Sequence, residues 1–138
     1  MGCDIHLHVE VKIDGKWEHW SCPDVNRDYE LFGWLADVRG DDPVAPQKGI
    51  PDDATTLTKL HCEDWGVDGH SHSWLGTGEV AEVARRYEAR GQQSSFERDT
   101  GIGYVPGYRK WSEEPDPAED GPMATKIEDA RIVFWFDN

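Results

Sequence analysis

Four of the six histidines fall in two His-x-His pairs, His6-Leu7-His8 and His70-Ser71-His72, and these are the residues best suited to chemistry. The first pair lies in Asp4-Ile5-His6-Leu7-His8-Val9-Glu10, where polar and apolar residues alternate. On a β-strand, residues two apart point the same way, about 7 Å apart at Cα. Two imidazoles so placed can converge on a divalent ion such as Zn or Mn. Asp4 and Glu10 share that face as further ligands or as partners that orient an imidazole. The second pair lies in Asp68-Gly69-His70-Ser71-His72-Ser73-Trp74, a segment dense in Gly, Ser and His that suits presentation of side chains more than packing.

Together the pairs suggest one ion held by His6, His8, His70 and Asp4. Such an ion lowers the pKa of a bound water and polarises a phosphoryl oxygen. Glu10, His72 and Asp68 are then the candidate acid–base groups. The arrangement requires residues 68–74 to fold over the polar face of the first strand. Cysteine offers another route to a metal, since His19 and Cys22 are three apart and His61 adjoins Cys62. Without a Cys-x-x-Cys pair, that structural-zinc reading ranks below the histidine pairs. The two-histidine phosphoesterase pattern, the HxHxDH zinc-hydrolase pattern, the Walker A loop and the nucleophile elbow are all absent.

In a chain poor in positive charge, Arg27 and Arg109 are candidate clamps for a phosphate or carboxylate. Arg98 and Arg131 are further arginines of the same kind. Tyr29 and Ser71 lie beside these motifs, and Tyr108 sits in an aromatic stretch, Tyr104 to Trp111, that could stack on a ligand ring. Asp137, near the end of the last strand, reaches Asp4 and His6 if that strand lies beside the first.

Several elements must position these groups. The alternation over Asp4 to Ile13 predicts a strand. Asp14-Gly15 is a favoured two-residue hairpin turn, and Lys16 to Trp20 returns as a second strand. Tyr29, Leu31, Phe32, Leu35 and Val38 predict a helix over 26–39, capped by Asn26 or Asp28 and ended by Gly40. Leu57 to Cys62 is a candidate short helix. Residues 66–78 read as a loop leading into a short strand or helix start. Thr77 caps a helix over about 79–90, with Gly91 beyond it. Arg131 to Phe136 predicts a strand apolar on both faces and therefore central. The fold class is α+β: a small, mainly antiparallel sheet holding the N-terminal hairpin and the C-terminal strand, with two main helices on one face.

The 138 residues fit one domain, 1–138, and are too few for a (β/α)8 barrel, which needs roughly 250. Acids outnumber bases 28 to 14, for a net charge of −14. That charge argues against non-specific binding to nucleic acid or anionic membrane. The three cysteines do not make a disulfide framework, and a reducing cytoplasm suits them. The N-terminus lacks a basic stretch followed by an apolar run, so no secretory leader is expected.

The opening Met-Gly-Cys-Asp-Ile-His, the Asn26-Arg27-x-Tyr29-x-Leu31-Phe32 helix, Pro51-Asp52-Asp53, the Asp68-x-His70-Ser71-x-Ser73-Trp74-Leu75 loop and the terminal Phe134-Trp135-Phe136-Asp137 resemble a family of small proteins encoded by tailed bacteriophages and their prophages. The resemblance implies a viral origin and action in the host bacterial cytoplasm, and brings no reaction with it. Within that setting, the expected function is metal-dependent, phosphoesterase-like hydrolysis of a nucleotide or other phosphorylated small molecule. The alternatives are a non-enzymatic protein that sequesters a host nucleotide signal, and an acidic decoy that inhibits a basic host defence protein.

Overall fold

The computed structural model describes residues 2–38, 42–92, 96 and 127–138. Strands β1 (Asp4–Ile13) and β2 (Lys16–Ser21) form the expected hairpin, followed by helices α1 (Tyr29–Ala36) and α2 (Thr56–Trp65). A 3-10 turn (Gly66–Asp68) leads into β3 (His70–Gly76), α3 (Thr77–Ala89) and β4 (Asp129–Asp137). The strands make one antiparallel sheet in the order β2-β1-β4-β3. The fold is α+β, with three helices where two main ones were expected.

The hairpin turn works because Asp14 and Gly15 both adopt positive φ, 52° and 76°, the backbone that matches strand twist. α1 is shorter than the 26–39 prediction. Asp28 caps it by accepting from the Leu31 N–H at 3.1 Å, and Asp37 ends it with a left-handed φ of 60°. The stop expected at Gly40 lies outside the described residues, as do Arg98 and the Tyr104–Trp111 stretch.

Alternation along β1 and β4 sorts their side chains onto two faces. Ile5, Leu7 and Val9 stand opposite Phe136, Phe134 and Ile132 and build the core beneath α1 and α3. Phe32 of α1 meets the Phe136 ring at 5.0 Å, and Val80 and Val83 of α3 are fully buried there. β4 is central, as its two apolar faces predict.

α2 covers the other face, and it is longer than the 57–62 segment expected. Its start is fixed by Glu10 of β1, which accepts from the Thr55 N–H at 2.8 Å and the Thr58 hydroxyl at 2.9 Å. A carboxylate at a helix N-terminus is stabilised by the dipole and by the unpaired N–H groups there. Thr58, His61 and Trp65 follow at helical spacing along one side of α2 and face the sheet, while Leu57 and Leu60 remain exposed. Residues 66–78, expected as a loop leading into a short strand or helix start, hold the seven-residue edge strand β3.

Candidate metal centre

The polar face of β1 meets α2 in a histidine cluster. His6 and His8 both point toward α2, as the strand alternation predicts. His8 is 2% exposed and lies between two other imidazoles: its Nδ1 is 2.9 Å from His19 Nε2, and its Nε2 is 2.7 Å from His61 Nδ1. The indole Nε1–H of Trp65 donates to His61 Nε2 at 3.2 Å. Trp135, fully buried on β4, underlies the group, with the His6, His8, His61 and His72 rings 5.1–6.2 Å from its own. Its Nε1–H has no hydrogen-bond partner among the described residues.

Cys22 completes the cluster through an irregularity in β2. In a regular strand, residues three apart face opposite ways, so His19 and Cys22 would lie on different faces. The β1–β2 register shifts between Val9, opposite Ser21, and Glu10, opposite His19, and Trp20 is the extra residue. This bulge restores both His19 and Cys22 to the side of His8. Among the described residues, one group of His, Cys, Asp or Glu side chains brings three ligand atoms within 4.8 Å of one another: His8, Cys22 and His61. This group could hold a metal ion.

The electrostatics suit an ion. Burial, and then repulsion from His61 and His19, pushes the His8 pKa down to about 4. Burial also lowers His19, and burial with the nearby His6 lowers His61. These rings are therefore neutral at neutral pH, with lone pairs to share. Desolvation and the adjacent Asp24 push the Cys22 thiol up, which makes it a poor nucleophile by itself. A metal ion reverses that penalty by binding the thiolate.

The two His-x-His pairs do not meet on one ion among the described residues. His6 Nε2 bonds to Asp137 Oδ2 at 2.5 Å, since β4 lies beside β1 and Asp4 pairs with Asp137. A β3 bulge between His70 and Ser73, with Ser71 at a φ of 57°, separates the second pair. His72 stacks on Trp135, whereas His70 pairs with Phe136 and stacks on its ring at 6.2 Å. Adjacent strand residues such as Trp135 and Phe136 point to opposite faces, so His70 and His72 address different sides. His70 also contacts Ser71 Oγ and Asn138 Oδ1. Burial, with His70 nearby, lowers the pKa of His72.

Glu10, Asp4, Arg27 and Tyr29 are engaged elsewhere. Glu10 is fully buried, and Arg131 donates to its Oε1 at 2.8 Å while Thr55 and Thr58 fill Oε2. Burial alone would raise its pKa, but these donors outweigh it and the net shift is downward. Its oxygens are occupied, which leaves it a structural anchor and not an available base. Asp4 and Arg27 form an exposed ion pair at 2.7 Å, and the Arg27 hydrogen bond lowers the Asp4 pKa. The Tyr29 hydroxyl accepts from the Cys3 N–H at 3.3 Å. Asp68 lies beside the cluster, in an open groove of ≈ 520 Å³ lined by Trp65, Val67, Asp68, His70, Asp137 and Asn138. Tyr108 and Arg109 lie outside the described residues.

Trp65 and Trp135 are the site residues that sequence reasoning missed, and His61 ranked below the histidine pairs. The His61–Cys62 neighbours were a visible signal, but Cys22 and not Cys62 joins the cluster. No helix among the described residues is long and apolar enough to cross a membrane. Set against known proteins, the chain matches no family model, no curated protein and no solved structure.

Proposed function

We propose that this protein is a metal-dependent hydrolase whose ion is held by His8, His61 and Cys22. The observation that carries the reading is the convergence of these three donors from β1, α2 and the end of the β2 bulge. Two imidazoles and a thiolate favour zinc over manganese, because soft sulfur selects softer ions. Three protein ligands leave a fourth position for water, the pattern of catalytic rather than structural zinc sites. Bound there, the ion supplies a water ionised near neutral pH and a Lewis acid for the substrate.

The chain's own residues supply the rest. His19 orients His8 through the Nδ1 contact. His6, held by Asp137 and 5.6 Å from the His61 ring centre, is the acid–base group in place of Glu10. The substrate we propose is a nucleotide or other phosphorylated small molecule. Asp68 and Asp137 are the carboxylates lining the adjacent groove, so such a substrate depends on the ion for charge neutralisation. The resemblance to phage proteins supplies the proposed setting, an infected bacterium.

The test is elemental analysis of tag-free protein purified without chelator, followed by a phosphoesterase screen. One equivalent of zinc is expected, lost in His8→Ala and His61→Ala and kept in His70→Ala. Turnover should require the ion and fall in His6→Ala with zinc retained. Ligand binding without turnover would favour the sequestering alternative, and no metal uptake would remove both the site and the hydrolase.

A further inference from the structure

We infer that Trp65 gates metal loading, because its indole holds His61 in the ring form that cannot accept an ion at Nδ1. The inference rests on the metal site proposed above and adds a control on it. An indole nitrogen can only donate a hydrogen bond. The 3.2 Å contact from Trp65 Nε1 to His61 Nε2 therefore requires a bare lone pair on Nε2. A neutral imidazole carries one proton, so His61 carries it on Nδ1. That Nδ1–H points at His8 Nε2, 2.7 Å away, and must be the donor there. His8 in turn keeps its proton on Nδ1 and donates it to His19 Nε2 at 2.9 Å. One donor that cannot reverse thus sets the direction of three hydrogen bonds in series.

This chain is incompatible with an ion on His8 Nε2 and His61 Nδ1. Ligation needs the Nδ1 lone pair, which moves the His61 proton to Nε2, where it faces the indole N–H donor to donor. Turning the ring over to offer Nε2 to the ion removes the same acceptor from Trp65. Either way the Trp65–His61 bond breaks. The two nitrogens must also part, since tetrahedral zinc holds its nitrogen ligands about 3.3 Å apart. The His8–His19 bond survives unchanged, because His8 keeps its proton on Nδ1.

Loading therefore acts on Trp65 itself. Its ring packs on His6 at 4.3 Å between ring centres and forms one wall of the groove that holds Asp68 and Asp137. Releasing the indole couples ion binding to the shape of that groove and to the exposure of the His6–Asp137 pair.

Trp65→Phe keeps an aromatic ring and removes the donor. Zinc affinity, measured by chelator competition, should rise about fivefold, the worth of one neutral hydrogen bond. Long-range ¹H–¹⁵N spectra of the metal-free wild type should show His61 protonated at Nδ1 alone, and added zinc should abolish that form. Equal or weaker zinc binding by Trp65→Phe, or a proton on His61 Nε2 in the metal-free wild type, overturns the gate and leaves the metal site standing. Failure of both proteins to take up zinc overturns the metal site, and the gate with it.

Discussion

Glu10 and Arg131 face each other across β1 and β4 and form an ion pair 2.8 Å long in which neither side chain is more than 5% exposed. The guanidinium also reaches Asp53 at 2.9 Å and lies 3.9 Å from the centre of the Trp17 ring. Glu10 in turn anchors the start of α2, which carries His61 and Trp65. Removing one partner strands the other charge in the interior. Glu10→Ala should lose about 3–5 kcal/mol in urea unfolding. The pair Glu10→Gln with Arg131→Met should lose less than Glu10→Ala, since neither variant side chain is charged.

Acid should destabilise the metal-free protein in two steps. His8 has a folded pKa of about 4, below its ordinary 6.5, so the unfolded chain binds the extra proton. Its contribution is complete above pH 6.5 and disappears as pH falls toward 4, a loss of about 3 kcal/mol at most. Glu10 has a folded pKa below its ordinary 4.5, and its contribution begins to fade below that value. Unfolding midpoints measured from pH 7 to pH 4 should fall steadily. A midpoint independent of pH over that range contradicts the buried, neutral His8.

Cobalt(II) offers a direct view of the thiolate. With Cys22 as a ligand, the cobalt-loaded protein should show a sulfur-to-metal charge-transfer band in the near ultraviolet. Cys22→Ser should lose it, and Cys62→Ser should keep it. Loading at neutral pH should also release a proton from the raised Cys22 thiol, measurable in weakly buffered solution.

Much of the frame was legible because it rests on periodicity and local turn chemistry. The β1 alternation, the Asp14-Gly15 turn, the Asp28 cap and the central β4 all follow from short-range rules. β3 was legible only in part, as a short strand or helix start after a loop, since a His- and Ser-rich edge strand resembles a loop in composition. α2 was seen only in part. Its sheet-facing stripe is Thr58, His61 and Trp65, while Leu57 and Leu60 face solvent, which inverts the usual amphipathic pattern.

The site was legible in residue type and not in membership. His6 and His8 were placed on one face by strand parity, and Asp137 was expected near His6. Cys22 ranks low in the sequence for want of a Cys-x-x-Cys pair, and the Trp20 bulge that brings it to the side of His8 leaves no local signal. Glu10 looked like a free base from its position on the polar face. Its partners come from 45, 48 and 121 residues away, beyond any local signal.

The strand order β2-β1-β4-β3 has a consequence for biogenesis. β1 leaves the ribosome well before its central partner β4, the last strand of the described sheet in chain order. Until β4 emerges, His6 lacks Asp137 and the cluster lacks the Trp135 floor. A nascent chain therefore exposes paired histidines and thiols to cellular metal before it can shelter them. Long-range pairing of this kind is slow to form. On the metal site proposed above, ion capture is therefore a late, post-translational event, and chains cut short before Arg131 should not acquire the site at all.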